Sequence, residues 1–183
     1  MSFGGNDITR VSLAHTDLSN ADLSGQNLTN ASFASANLTN ANLSNAALSG
    51  ANFTNADLAG ANLANADLTD AHLTDANLFG CNLTNTNLTR VQLTGAELSD
   101  SDMTGAVLRN AVFGYDDNRY RDRNAKYPRA NLTNANLTDV DLTGAELTGV
   151  NLANADLTGA NLDSAGLIEA NLAGANLTNA DLT

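Results

Sequence analysis

The sequence predicts an all-β solenoid, and three regularities support this prediction. An apolar residue recurs at every fifth position from Phe3 to Phe113 and again from Leu132 to Leu182, which makes 34 positions. A small residue stands two places before most of these centres, and it is alanine in 23 of the 34 cases. The remaining places hold mainly Asn, Asp, Ser, Thr and Gly. A period of five fits neither an α-helix nor a flat strand, but it fits a coil in which each five-residue unit forms one side and then turns.

Within each unit, the spacing predicts which residues face inward. The apolar centre and the small residue two places before it are expected to point into the coil, and the other three residues are expected to face water. Only alanine-sized residues fit beside leucine in a narrow coil, which explains the alternation of small and large residues. Successive coils are expected to pair through their backbones at roughly 4.8 Å.

Composition narrows the class of protein. The chain has 183 residues, a formal charge of -12, one Cys, one Pro and no Trp, and its length is typical of one domain. A single Cys excludes an internal disulfide framework and a multi-Cys metal site. The first residues lack a secretion signal, and no apolar run approaches the length of a membrane span, so we expect a cytoplasmic protein with no membrane contact.

The units resemble the pentapeptide-repeat family, whose consensus is A(D/N)Lxx. Examples are Ala21-Asp22-Leu23-Ser24-Gly25 and Ala61-Asn62-Leu63-Ala64-Asn65. The resemblance implies a right-handed quadrilateral β-helix with four units per coil, hence about 8.5 coils and a rod roughly 40 Å long, with one projecting loop. A 20-residue coil would also place certain residues in internal columns, and the predicted core includes Phe33, Phe53, Phe113, Leu132 and Leu152.

One segment interrupts the repeat. We predict a continuous domain in which residues 1–115 and 130–183 form the β-helix and residues 116–129 form a loop insertion. Five basic and three acidic residues give the insertion a charge of +2, which leaves -14 on the rest of the chain. A loop rich in Arg and Tyr is typical of a recognition element, while the alternative is a solvated excursion at a corner. The predicted partner-binding residues are Tyr115, Arg119, Tyr120, Arg121, Arg123, Lys126, Tyr127 and Arg129.

Acidic residues follow the repeat as well, and eleven of the 20 occupy the outward place just before a centre. Folding the sequence on 20 places Asp17, Asp57 and Glu97 on one face and Asp7 and Asp67 on another. The chain is distantly similar to the Qnr and MfpA-type quinolone-resistance members of the family, which implies an acidic rod that mimics DNA. A charge of -14 is roughly 60% of that on about 40 Å of duplex, and it also serves solubility.

No residues form a catalytic constellation, so we expect neither an enzyme nor a metal or cofactor site. Cys81 falls on an inward small-residue place, and His15 and His72 fall on outward places about three coils apart. The leading hypothesis is a non-catalytic protein-interaction scaffold that does not bind nucleic acid directly.

The specific form of this hypothesis is a DNA mimic that binds DNA gyrase or topoisomerase IV and protects it from quinolones. The alternatives are a regulatory scaffold for another protein and a structural or designed consensus repeat. An end-to-end homodimer is also predicted, because the last coil would expose Leu172, Leu177 and Leu182.

Overall fold

The computed structural model describes residues 8–114 and 129–183. Its β-structure consists of isolated parallel bridges, one residue per side of each coil, and each bridging residue pairs with the residue twenty positions later. Four ladders of bridges run along the rod and define its four sides. We number the sides by their first bridging residue, which is Ser12 for the first side, Asp17 for the second, Asp22 for the third and Asn27 for the fourth.

Each unit has five positions, which we number from the small inward residue to the corner. The unit that ends at Asn20 shows how the chain turns. The backbone N–H of Leu18 at position 3 donates to the carbonyl oxygen of Asn37 in the next coil at 2.7 Å, and the N–H of Ala21 donates back to Leu18 at 3.0 Å. Asn20 at position 5 has φ 56°, and a positive φ at this place is typical of a type II turn.

Every described residue at position 5 has φ between 54° and 73°. Gly, Asn and Asp tolerate this left-handed region best, which explains their abundance at the corners. The preference for Asn and Asp at position 2 has a different cause. The Oδ1 of Asp17 accepts hydrogen bonds from the backbone N–H of Ser19 at 3.0 Å and from the side-chain amide of Asn37 at 3.1 Å. Position 2 therefore supports both its own turn and the neighbouring coil.

The core is a column of large side chains under each side, separated by alanines. Phe33 and Phe53 are fully buried and stack with 4.8 Å between ring centroids and an interplanar angle of 4°. This separation matches the spacing expected between β-paired coils. Phe113, Leu132 and Leu152 are also fully buried. The handedness of the helix and the count of about 8.5 coils stay predictions.

The insertion leaves the ladders in register. Glu97 pairs with Asn131 and Val112 pairs with Glu146, so these bridges span 34 residues, which is 14 more than the ordinary coil. The extra residues lie at one corner, between Gly114 and Ala130, and the bounds 116–129 stay a prediction. Seven of the eight predicted loop residues, from Tyr115 to Tyr127, lie outside the described residues.

The apolar residues of the coil from 165 to 183 are more exposed to solvent than those of the other coils. Leu167, Leu172 and Leu177 are half-buried, Leu182 is 58% exposed and Ile168 is 71% exposed. End-to-end association of two copies at this coil stays a prediction. Across the residues that the structure describes, no helix has the length and apolar character to cross a membrane.

Candidate partner-binding surface

The insertion leaves the rod at the corner between the first and second sides. The position-5 residues of the coils on either side of it are both glycine, Gly95 and Gly149, each in the left-handed region. Arg129, the one predicted loop residue that is described, lies against Gly149, and its guanidinium occupies the place that a Cβ there would take. The root of the insertion therefore stands between two corners that carry no side chain.

Net negative charge is greatest on the second and third sides, because the fourth side combines five acids with three arginines in the described part of the chain. In residues 8–114 and 129–183, these two sides hold eight carboxylates and no basic residue, counting each unit from position 1 to its corner. The first side holds three acids by the same count. The eight acids are Asp17, Asp57, Glu97 and Asp100 on the second side, and Asp22, Asp102, Asp139 and Asp156 on the third.

The predicted acidic face lies on the second side, and its charges are separated by asparagine. Bridges connect Asp17, Asn37, Asp57, Asn77 and Glu97 in that order, so carboxylates alternate with amides. The amide of Asn77 donates to Asp57 at 3.0 Å. Hydrogen bonds from Ser19 lower the pKa of Asp17. Asparagine thus separates like charges on this side by about 10 Å, or two coils.

One coil carries three acids together. Burial opposes ionisation of Glu97, but hydrogen bonds from Ser99 and Asn131 outweigh it and lower the pKa of this carboxyl. Asp100 accepts a hydrogen bond from the side-chain amide of Asn134 at 3.0 Å. Asp102 accepts one from the following coil in the same way, at 3.1 Å. Three carboxylates of one coil therefore each accept a hydrogen bond from an asparagine of the next coil.

The fourth side is partly neutralised by arginine. Arg90 forms a two-pronged ion pair with Asp70, at 2.7 and 2.6 Å, and its hydrogen bond lowers the pKa of Asp70. Arg109 pairs with Asp141 at 2.6 Å. The predicted acidic residue Asp67 lies on this side, whereas Asp7 lies outside the described residues. The second side therefore presents a stronger negative field than the fourth.

Sequence reasoning missed two features of this surface. The third side extends the acidic region beyond Asp17, Asp57 and Glu97, and summing charge over adjacent sides and corners would have found it. Phe79 was also missed, although it is a phenylalanine outside the five-residue register. Its side chain is 49% exposed on the second side.

Cys81 lies on the inner surface of the third side and is buried. Its Sγ lies 3.0 Å from the carbonyl oxygen of Leu58, and burial raises the pKa of the thiol to about 12. No group of three or more His, Cys, Asp or Glu side chains within the described ranges is arranged to hold a metal ion.

We expect the thiol of Cys81 to be inert in the folded protein, because thiol reagents attack the thiolate. Ellman's reagent at mildly alkaline pH should label no cysteine in native protein and one per chain in urea. A Cys81→Ala, Thr178→Cys variant, with its thiol at an exposed position, should react at once and serves as the control. Rapid labelling of native wild-type protein would contradict the buried assignment.

Comparison with known proteins identifies related chains. A family model described as pentapeptide repeats matches in eight copies, covering residues 7–45, 36–75, 46–85, 71–110, 123–154 and 145–183. HetL, a pentapeptide repeat protein involved in heterocyst differentiation regulation from the cyanobacterium Nostoc sp. strain PCC 7120, is 32% identical. That match covers 96% of this chain and 84% of HetL, with a TM-score of 0.47.

QnrB1, a plasmid-mediated fluoroquinolone resistance protein, is similar in fold. One of its structures matches with a TM-score of 0.65 at 20% identity, covering 99% of this chain and 84% of QnrB1. A pentapeptide repeat protein of the Arabidopsis thaliana thylakoid lumen is 31% identical, with a TM-score of 0.41 and coverage of 64% of this chain and 69% of that one. No curated protein sequence matches the chain.

Proposed function

Because the chain belongs to the pentapeptide-repeat family, as its units predicted, we propose that it is a non-catalytic protein-interaction scaffold. The specific form of the proposal is an acidic mimic of duplex DNA that binds DNA gyrase or topoisomerase IV and protects it from quinolones. The observation that carries this form is the negative charge of the second and third sides, where eight carboxylates stand without a basic residue in the described part of the chain.

Two further properties support a DNA mimic. Asparagines separate the carboxylates of the second side at a regular spacing along the rod, which suits a protein surface that binds a duplex. The Arg- and Tyr-rich insertion leaves the rod at the edge of the second side, so one partner could contact both. The charge per unit length remains below that of DNA, so we expect a mimic that depends on shape and on the insertion as well as on charge.

A regulatory scaffold for another protein is the alternative. The observation that favours it is the equivalence of Asp and Asn at position 2. Asp57 accepts from the backbone of Ala59 at 3.1 Å, and Asn77 accepts from the backbone of Phe79 at the same distance. Aspartate at position 2 therefore accepts the same backbone hydrogen bond as asparagine does. Its charge is not needed for the fold and, on this alternative, serves solubility alone.

Supercoiling by DNA gyrase, with and without ciprofloxacin, distinguishes the two. If the chain is a DNA mimic, it should inhibit supercoiling or relieve the inhibition of gyrase by ciprofloxacin. Added duplex DNA or salt should weaken this effect. The triple variant Asp17→Asn, Asp57→Asn, Glu97→Gln should need about tenfold more protein, as expected for three lost charges at an interface. Deletion of residues 116–129 should abolish the effect.

A matched control isolates the second side. The variant Asp67→Asn, Asp163→Asn, Asp181→Asn removes the same number of charges from the fourth side and should act like wild type. Equal loss in both triple variants would mean that net charge alone matters. No effect of wild-type protein up to tens of micromolar would reject the topoisomerase proposal and leave the regulatory scaffold.

A further inference from the structure

We propose that Phe79 and the carboxylates around it form a docking site for an arginine-bearing segment of a protein partner. The inference rests on the proposed function as an interaction scaffold, and it names a site and a partner chemistry that do not depend on a topoisomerase. Phe79 is the centre of the site, which lies on the second side of the rod at its border with the third.

Phe79 departs from the repeat. It stands at position 4, where the equivalent residues of the neighbouring coils are Ala59 and Ser99. Phe33, Phe53 and Phe113 are fully buried, whereas the Phe79 side chain is 49% exposed. Exposure of an aromatic ring to water is unfavourable, and phenylalanine is among the residues enriched at protein interfaces.

The residues next to Phe79 on the surface are small. Ala59 and Ser99 flank it along the rod, and the corners beside it are Gly60 and Gly80. Apart from its two chain neighbours, a Cβ built at Gly80 would meet no atom within 4 Å, so the corner next to Phe79 is open. The backbone of Phe79 is fixed, because its N–H donates to Asn77 Oδ1 at 3.1 Å and its carbonyl accepts from Gly60 at 2.9 Å. The site is thus rigid and accessible.

Carboxylates lie in the coils before and after Phe79. Asp57 and Glu97 lie on the second side in the coils before and after Asn77, to which both are bridged. Asp100 occupies the corner of the next coil, where its positive φ matches that of Gly80 in the same column. Glu97 and Asp100 belong to one coil, and Asp57 lies two coils, or about 10 Å, away along the rod, with Phe79 in the coil between them. No basic residue of the described chain lies on this side or the next to neutralise them.

The negative charge around Phe79 determines which kind of molecule can bind there. A second copy of the chain would bring Asp57, Glu97 and Asp100 against other acidic surface, and nucleic acid or an anionic membrane would be repelled in the same way. A cationic segment is attracted. Arginine suits the site better than lysine because its planar guanidinium stacks on an aromatic face while its N–H groups donate to flanking carboxylates. A protein segment that carries arginine therefore satisfies both the ring and its acidic rim.

Fluorescence anisotropy with a labelled hexapeptide of alternating arginine and glycine tests the site. Wild-type protein should bind this probe more tightly than the matching lysine peptide. Phe79→Ala should weaken arginine-peptide binding about three- to fivefold, the range of an exposed cation–π contact, and Phe79→Tyr should preserve it. Asp57→Asn should weaken it, whereas Asp67→Asn on the opposite side should not.

Two results would overturn the proposal. The first is arginine-peptide binding that Phe79→Ala leaves unchanged, since charge alone would then explain it. The second is no binding to wild-type protein at millimolar probe. Circular dichroism checks that Phe79→Ala is folded. Peptide binding by Phe79→Tyr, which keeps an aromatic ring, provides a second test. The gyrase assay is independent, so Phe79-dependent peptide binding without an effect on gyrase would reject the topoisomerase proposal and keep the docking site.

Discussion

Replacing Phe53 by alanine is expected to lower the free energy of unfolding by about 3–5 kcal/mol. Phe53 is fully buried, and its ring stacks on that of Phe33 at 4.8 Å and 4°. The substitution removes that contact and leaves a cavity between two coils. The coils are held on both faces by backbone hydrogen bonds, such as those from Phe33 to Asn52 and from Phe53 to His72, each 2.7 Å. They therefore have little freedom to collapse into the cavity.

Urea denaturation followed by far-UV circular dichroism measures the effect. Phe53→Leu should cost much less, because Leu73 occupies the same column in the next coil and is equally buried. Phe79→Ala removes the same side chain from a half-exposed position and should change stability by about 0.5 kcal/mol or less. If Phe53→Ala and Phe79→Ala were equally mild, the internal aromatic column would not stabilise the rod.

The second large effect is expected at a corner. Gly60 and Gly80 occupy the same corner in successive coils, with φ of 68° and 63°. Alanine at either place must adopt a left-handed backbone conformation, which costs about 1 kcal/mol of stability. A Cβ at Gly60 would also lie 2.5 Å from Oδ1 of Asn40, whereas one at Gly80 would meet nothing within 4 Å. Because Asn40 Oδ1 is the end of a flexible side chain that can rotate away, Gly60→Ala should destabilise the protein by about 1–2 kcal/mol and Gly80→Ala by about 1.

A double-mutant cycle assigns the difference to Asn40. In the Asn40→Gly, Gly60→Ala variant the clash is absent and the left-handed corner is kept, so the additional cost of Gly60→Ala should fall to that of Gly80→Ala. Thermal unfolding at matched protein concentration is a suitable measurement. Equal destabilisation by Gly60→Ala and Gly80→Ala would show that Asn40 moves aside without cost.

Much of this architecture could be predicted from the sequence, because one rule repeats in every unit. The five-residue period predicted that Leu58 and Ala61 face inward, and both are buried. The resemblance to the pentapeptide-repeat family implied a 20-residue coil, the spacing of Phe33 and Phe53 agreed with it, and the bridges join residues 20 apart. A period is a strong signal because each coil makes the same contacts as the one before it.

The candidate surface was harder to predict, because it depends on exceptions to the rule. The ion pair of Arg90 with Asp70 lies across two corners, and nothing in the period distinguishes a paired corner from an unpaired one. Phe79 lies at position 4 and not at an apolar centre, so a search for periodic apolar residues passes over it. The insertion was recognised by its composition, yet composition does not say what Arg119 or Tyr120 contacts.

Pairing at a spacing of twenty also constrains how the length of such a protein changes in evolution. Gain or loss of 20 residues adds or removes a coil and leaves every later residue on its original side. Loss of a single unit between Asp57 and Asn77 would instead move Asn77 and Phe79 to the first side, while Asp57 stayed on the second. The ladder thus acts like a reading frame for the surface, in which whole coils are silent changes and single units are frameshifts. The 14-residue insertion keeps the frame because it enters at a corner and returns to the same corner.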